Sequence, residues 1–362
     1  MTMAATLSKV TIRNYKSLRD VSFDCRRINL FIGEPDSGKS NLLEAMAFAG
    51  GTDGLGGYVA DLPTSKLVRM NLMYHLFHQK SVAKDIEIEW VYAVGGKNYA
   101  KRSTLRYDKN RDNFRFHSAI ADLLMPVSVG DDGIGFDKEG RLTKNSICNV
   151  VSSQDNDIDK LPQIRKFVFD PNAGYSRDPV NELLSPHGEN LFSIVFYHDE
   201  IRAFVEEFLK GNGYKLICDA EENRLKFRIL DHDREDHYPY HLLSDTLRRM
   251  IFYHVCIRSA ENRALLFEEP ESGSFPYYTK QLGETIARDE KNQYFIATHN
   301  PYLLSAVLEK AQIDDVAVHV TRSVNGATEV VTVARERLGE LLEIDPFFNL
   351  DSIVDDPGDA KP

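Results

Sequence analysis

The chain has 362 residues, 42% of them apolar, and a formal charge of −11 at neutral pH. That is enough apolar material for a large α/β domain or two lobes. The acidic balance excludes nucleic-acid binding through a broadly basic face, which must displace phosphate counterions with Lys and Arg, and leaves room only for a local basic groove. Cys25, Cys148, Cys218 and Cys256 lie far apart with no C-x-x-C pair, a usage that suits reduced thiols in a cytoplasm rather than a disulfide framework or zinc site. There is no signal-peptide pattern and no apolar run of about eighteen residues, so a soluble, unanchored, cytoplasmic protein is expected.

Residues 9–24 alternate as a strand, break near Arg13 to Lys16 and resume as a second strand. A third apolar run, Ile28 to Ile32, leads into Gly33-Glu34-Pro35-Asp36-Ser37-Gly38-Lys39-Ser40, a full match to G-x-x-x-x-G-K-[ST] followed by helix-capable residues from Asn41 to Phe48. Such a loop turns backbone N–H groups around phosphates, and the following helix adds the positive end of its dipole. In that arrangement Lys39 holds the β- and γ-phosphates and the Ser40 hydroxyl takes a position on Mg²⁺. The glycine-rich stretch 50–57 then marks an excursion from the nucleotide core.

Residues 86–92, 99–107 and 114–116 read as strands of an antiparallel meander. A short strand, an acidic loop at Asp155 to Asp159 and a second strand at 165–169 follow. Apolar spacing over 190–209 predicts one helix, with Asn190 a cap, and 215–218 and 225–230 read as strands. Asp231, His232, Asp233, His237 and His241 are polar and close together, but Pro239 breaks the helix that would align the last two for a metal. From 246 to 310 the pattern alternates helix, strand, helix, strand, helix as a parallel α/β unit does. Asn325-Gly326 predicts a hairpin joining 316–321 to 328–333.

The apolar strand Leu265-Leu266-Phe267 ends in Glu268-Glu269-Pro270-Glu271, a Walker B arrangement. Strand termination sets Glu268 near Mg²⁺ through a water, and Glu269 where a base activates water for in-line attack on the γ-phosphate. Glu271 reads equally as a plain loop residue or as one that supports the site from behind. The strand 294–297 runs into Thr298-His299-Asn300-Pro301. A lone strand-end histidine usually serves packing; beside two nucleotide motifs, His299 reads as a switch that hydrogen-bonds the γ-phosphate.

This order of motifs, with the opening segment Ile12 to Leu18, resembles the ABC-type ATPases of the OLD, RecF and SMC branch. The resemblance covers about residues 8–50 and 240–310 and is diffuse between them. It implies an α/β P-loop ATPase head with a mixed sheet, an N-terminal antiparallel meander and a helical insertion. The core is then 1–50 and 240–335, the insertion 51–239, and the C-terminal helix and acidic tail 336–362. ATP and Mg²⁺ are the implied cofactors, held by residues 33–41 including Asn41. The resemblance also implies a signature serine reaching the γ-phosphate held by a second copy in a homodimer, and Ser244 maps onto it, without the glycine that usually follows. Gln154, with Gln79 second, fills the place of the family's Mg²⁺-sensing glutamine. Pro35 and Glu268 stand where the branch commonly has Asn and Asp. About fifty residues follow the last ATPase helix, too few for the TOPRIM nuclease of OLD proteins. A separately encoded effector, a nuclease or toxin in bacterial defence, is the implied partner; a nucleotide-dependent scaffold with little turnover and a RecF-like DNA sensor are the alternatives.

Overall fold

The structure, a computed structural model, describes residues 5–51, 67–120, 134–141, 143, 160–174, 181–230, 236–343, 347–350 and 353. Gln154, Cys148, the acidic loop at Asp155 to Asp159, Asp231 to Asp233, most of the glycine-rich stretch and the acidic tail therefore lie outside the described residues.

Strands β1 (Ala5–Tyr15), β2 (Leu18–Asp24) and β3 (Ile28–Gly33) precede helix α1 (Lys39–Gly51). The meander is β4 (Ile86–Val94), β5 (Lys97–Asp108), β6 (Asn113–Ile120) and β7 (Ile134–Phe136). These strands do not stand alone. β4 pairs antiparallel with β1, so all six strands make one sheet in the order β2-β1-β4-β5-β6-β7. The alternating burial of β4 gives the reason: Ile86, Ile88, Trp90, Tyr92 and Val94 face inward, and that face needs a partner layer.

The partner layer is α1. Its run Leu42-Leu43-Glu44-Ala45-Met46-Ala47-Phe48 is buried throughout, because the helix is covered on one side by this sheet and on the other by a second one. The second sheet has the order β15-β14-β3-β13-β12-β8. It contains β8 (Gln163–Phe167), β12 (Arg263–Glu268), β13 (Gln293–Ala297), β14 (Val316–Val324) and β15 (Ala327–Thr332), all parallel except the β14–β15 hairpin. Strand alternation divides the core: Leu266 and Phe295 point to α1, while Leu265, Phe267, Tyr294 and Ile296 point to the opposite cluster of helices. β8 comes from the stretch read as insertion and is nonetheless the edge strand of this core sheet.

The opposite face is covered by α2 (Leu191–Tyr197), α3 (Asp199–Gly211), α4 (Asp245–Ser259), α5 (Pro276–Arg288) and α6 (Pro301–Lys310), with a short α7 (Glu340–Glu343) beyond. The single helix expected over 190–209 is two. His198 is extended at φ −109°, and the Arg202 guanidinium donates to the carbonyls of Val195 and Phe196, satisfying α2's last acceptors where the helix stops. A small antiparallel sheet of β9 (Tyr214–Asp219), β10 (Arg224–Ile229) and β11 (Tyr238–Pro239) lies beside them. Among the described residues Cys25, Cys218 and Cys256 are free thiols, two of them buried, and no described helix is long and apolar enough to cross a membrane.

Candidate ATP site

The three motifs stand at the carboxyl ends of neighbouring parallel strands, in the order β3, β13, β12, where ligands sit in open α/β sheets. Gly33 and Gly38 have φ of +153° and +103°, conformations that suit glycine. Both also lie against the β14–β15 hairpin: a Cβ on Gly33 would stand 2.4 Å from the Thr321 carbonyl oxygen, and one on Gly38 only 2.0 Å from Thr328 Oγ1. Ser37 Oγ lies 2.6 Å from Thr321 Oγ1. Ser17, in the turn between β1 and β2, lies 2.7 Å from Thr328 Oγ1 and accepts from Asn41 Nδ2 at 2.8 Å. The loop is thus clamped from below by threonines and a serine that no motif announces, and Asn41 is spent on that clamp. Glu34, Pro35 and Asp36 form its exposed crest.

Lys39 is buried, and its ammonium donates to the carbonyls of Gly33 at 2.9 Å and Glu34 at 2.7 Å. Burial lowers its pKa to about 8 against the opposing pull of Glu269 and Asp36. An anion taking the place of these carbonyls would set full negative charge against Lys39 and favour the charged amine.

The Ser40 hydroxyl donates to the Glu268 carboxylate, which lies among Lys166 and Arg69; burial raises its pKa, and Lys166, Ser40 and Arg69 outweigh this to hold it below the usual range. A hydroxyl and an ionised carboxylate at hydrogen-bond distance are hard oxygen donors, the chemistry Mg²⁺ takes, so Ser40 and Glu268 fit the metal. Among the described residues no group of three or more His, Cys, Asp or Glu side chains forms an all-protein metal cage. Gln79 is exposed in the short 3-10 helix His78–Lys80, beside Asn14 and Lys84.

Glu269 sits at φ +43°, a strained conformation for a non-glycine residue, at the turn leaving β12. Its N–H donates to Ala297 at 2.8 Å, tying this turn to the end of β13. His299 Nε2 is 3.7 Å from Glu269 Oε1, and both side chains are partly exposed. Burial first, then the Lys39 ammonium, lowers the His299 pKa against the pull of Glu269. The imidazole is therefore neutral near pH 7, free to donate one hydrogen bond and accept another. The structure brings Lys39, Ser40, Glu268, Glu269 and His299 together at the carboxyl edge of the sheet.

Of the two readings open for Glu271, the structure favours the supporting one. It is buried, accepts from Thr298 Oγ1, and Thr298 Oγ1 in turn accepts from the Asn300 N–H at 3.0 Å. Asn300 then caps α6 by accepting from Tyr302 N–H at 2.9 Å. This chain fixes the two residues flanking His299. Burial pushes the Glu271 pKa up to about 7, so the native state holds its proton to higher pH than the unfolded chain. Its stabilising contribution is complete at pH 4 and falls away as pH rises from about 4.5 to about 7, on the order of 3 kcal/mol. Glu271→Gln is expected to flatten the stability profile across that window, read from urea midpoints at pH 5 and 8.

Ser244 caps α4, accepting from the Leu247 N–H at 3.4 Å. It is exposed, and its neighbour Thr246 donates to the Gly273 carbonyl at 3.2 Å, joining this segment to the loop after Glu269. Leu242, Phe275 and Tyr277 are exposed on the same segments.

Residues 6–166 match the AAA ATPase domain family. The DNA replication and repair protein RecF of Bacteroides thetaiotaomicron is 28% identical over 213 residues, 56% of this chain and 54% of that protein. The chain thus spans about half the length of this curated relative. Among solved structures, an Smc head bound to the C-winged helix domain of ScpA aligns with a TM-score of 0.56 at 15% identity, over 93% of this chain and 99% of that one. A Pyrococcus furiosus Smc head with an extended coiled coil, bound to the C-terminal domain of ScpA, gives 0.56 at 12% identity over 94% and 99%.

Proposed function

We propose that the chain, whose fold and motif set are similar to those of ABC-type ATPases of the RecF/SMC-like branch, is an ATP-hydrolysing homodimeric switch controlling a separate effector protein. The observation that carries this reading is the convergence of Lys39, Glu269 and His299, with His299 Nε2 3.7 Å from Glu269 Oε1. Lys39 and the loop N–H groups bind the ATP phosphates, and Ser40 and Glu268 hold Mg²⁺, which supplies neutralisation of charge on the phosphates. Glu269 takes the proton of the attacking water, and His299 hydrogen-bonds the γ-phosphate.

Ser244 from a second copy completes the site. Its exposure at a helix N-terminus, beside exposed Leu242, Phe275 and Tyr277, supports a role across an interface. Ser244→Arg is expected to leave nucleotide binding by the monomer within about threefold while abolishing ATP-induced dimerisation in light scattering. A dimer that still forms with ATP would overturn the composite site. The likeness to RecF raises DNA as a second partner, but a charge of −11 weighs against bulk electrostatic binding and favours a protein partner. A role in bacterial defence belongs to this same proposal.

A further inference from the structure

Glu268 is not a free carboxylate. Its Oε2 lies 3.1 Å from Lys166 Nζ and its Oε1 lies 3.2 Å from the Arg69 guanidinium. Lys166 is 5% exposed, an unusual place for an amine unless it is paired. Its position follows from strand register: Lys166 on β8 pairs with Leu266 on β12, two residues before Glu268, so its side chain shares the face of the carboxylate. It also donates to the Leu67 carbonyl at 3.3 Å. Arg69 is itself held, its Nε 2.6 Å from Oε1 of the fully buried Glu44 on α1. Lys16 closes the set, paired with the same Glu44 and donating to the Arg69 carbonyl at 2.9 Å.

The group contains three cations, Lys16, Arg69 and Lys166, and two carboxylates, Glu44 and Glu268. It carries a surplus of one positive charge beside Ser40, whose hydroxyl donates to Glu268. That arrangement has two electrostatic consequences. The surplus charge attracts phosphate oxygens without help from a metal, and the two cations on Glu268 compete with a divalent ion for the same oxygens.

We propose that Lys166 and Arg69 are further residues of the nucleotide site, which position Glu268 and make nucleotide binding less dependent on divalent metal. Both lie outside the phosphate loop, the strand-end acids and the histidine loop. The proposal rests on the reading of residues 33–40 as the phosphate cradle.

The test measures binding of a fluorescent ATP analogue to the full chain in excess Mg²⁺ and in EDTA, for the wild type, Lys166→Gln, Arg69→Gln and Lys39→Ala. Arg69 is 68% exposed, so its variant should fold even if Lys166→Gln does not. The wild type is expected to retain binding in EDTA. Each of the two glutamine variants should lose about tenfold there, the size of one charge interaction screened nearly as in water, and less than that in Mg²⁺. The ratio of the two affinities separates this from general damage, which lowers both alike. Loss of binding in Lys39→Ala, with wild-type ratios in Lys166→Gln and Arg69→Gln, would overturn the proposal alone. Undiminished binding in Lys39→Ala would overturn the cradle and the proposal with it.

Discussion

Glu269→Gln is expected to bind ATP with near wild-type affinity and to release phosphate about 10²- to 10⁴-fold more slowly, the contribution of a positioned general base. The substitution preserves shape and hydrogen-bonding reach while removing the one lone pair basic enough to take a proton from water. The backbone that positions residue 269 is held independently of its side chain, by the N–H donated to Ala297 and the Ser272 N–H donated back to the Glu269 carbonyl at 3.0 Å. The strained φ of +43° is therefore kept in the variant. Removing the carboxylate also removes a group that favours the charged form of both Lys39 and His299. The Lys39 pKa should fall from about 8 to a lower value, so ATP affinity in Glu269→Gln should weaken between pH 7 and 8 more steeply than in the wild type. Phosphate release and equilibrium binding, measured together at both pH values, check this. If turnover in the variant matches the wild type, Glu269 is not the base, and the neutral imidazole of His299 becomes the group to substitute next.

What the sequence makes legible here follows from how locally each feature is encoded. The phosphate loop, the strand-end acids and the strand-end histidine are each contiguous, and the parallel sheet brings them together by placing β3, β13 and β12 side by side. The terminal hairpin is announced by Asn325-Gly326, a local turn signal, and forms between β14 and β15. What it touches is not announced. Thr321 and Thr328 meet the phosphate loop from about 290 residues away in sequence, through pairing of β14 with β3 that no short pattern records. Lys166 reads in sequence as one more charge in a strand, and only the parallel register with β12 brings it to Glu268. The break at His198 was hidden for a related reason. Apolar spacing continues through it, and the compensation comes from Arg202, whose guanidinium reaches back to two carbonyls. Glu271 stays open between a plain loop acid and a supporting one until the burial of its carboxyl and its bond to Thr298 are seen.

Gly38→Ala should show how much of the nucleotide site depends on that distant hairpin. The added methyl would stand 2.0 Å from Thr328 Oγ1 and 2.9 Å from Thr328 Cβ, well inside any tolerable contact. Thr328 cannot swing aside cheaply. Its N–H donates to the Ser17 carbonyl at 2.8 Å, its hydroxyl is shared with Ser17 Oγ at 2.7 Å, and it is 4% exposed. The φ of +103° adds a second cost, because an alanine at that angle is strained even in open space. Displacing the loop by the needed ångström moves the N–H groups off the phosphates, and a combined penalty of about 3 kcal/mol corresponds to a loss of roughly 100-fold in ATP affinity. Thr328→Ala added to Gly38→Ala removes the hydroxyl and one methyl from the collision but leaves Cβ and the backbone angle. The double variant should therefore recover part of the thermal stability lost by Gly38→Ala and only a minor part of the binding. The non-additive term between the two substitutions measures the contact directly. Strictly additive losses in melting and binding would mean that the hairpin does not hold the loop, and the clamp of Ser17, Thr321 and Thr328 would have no part in forming the site.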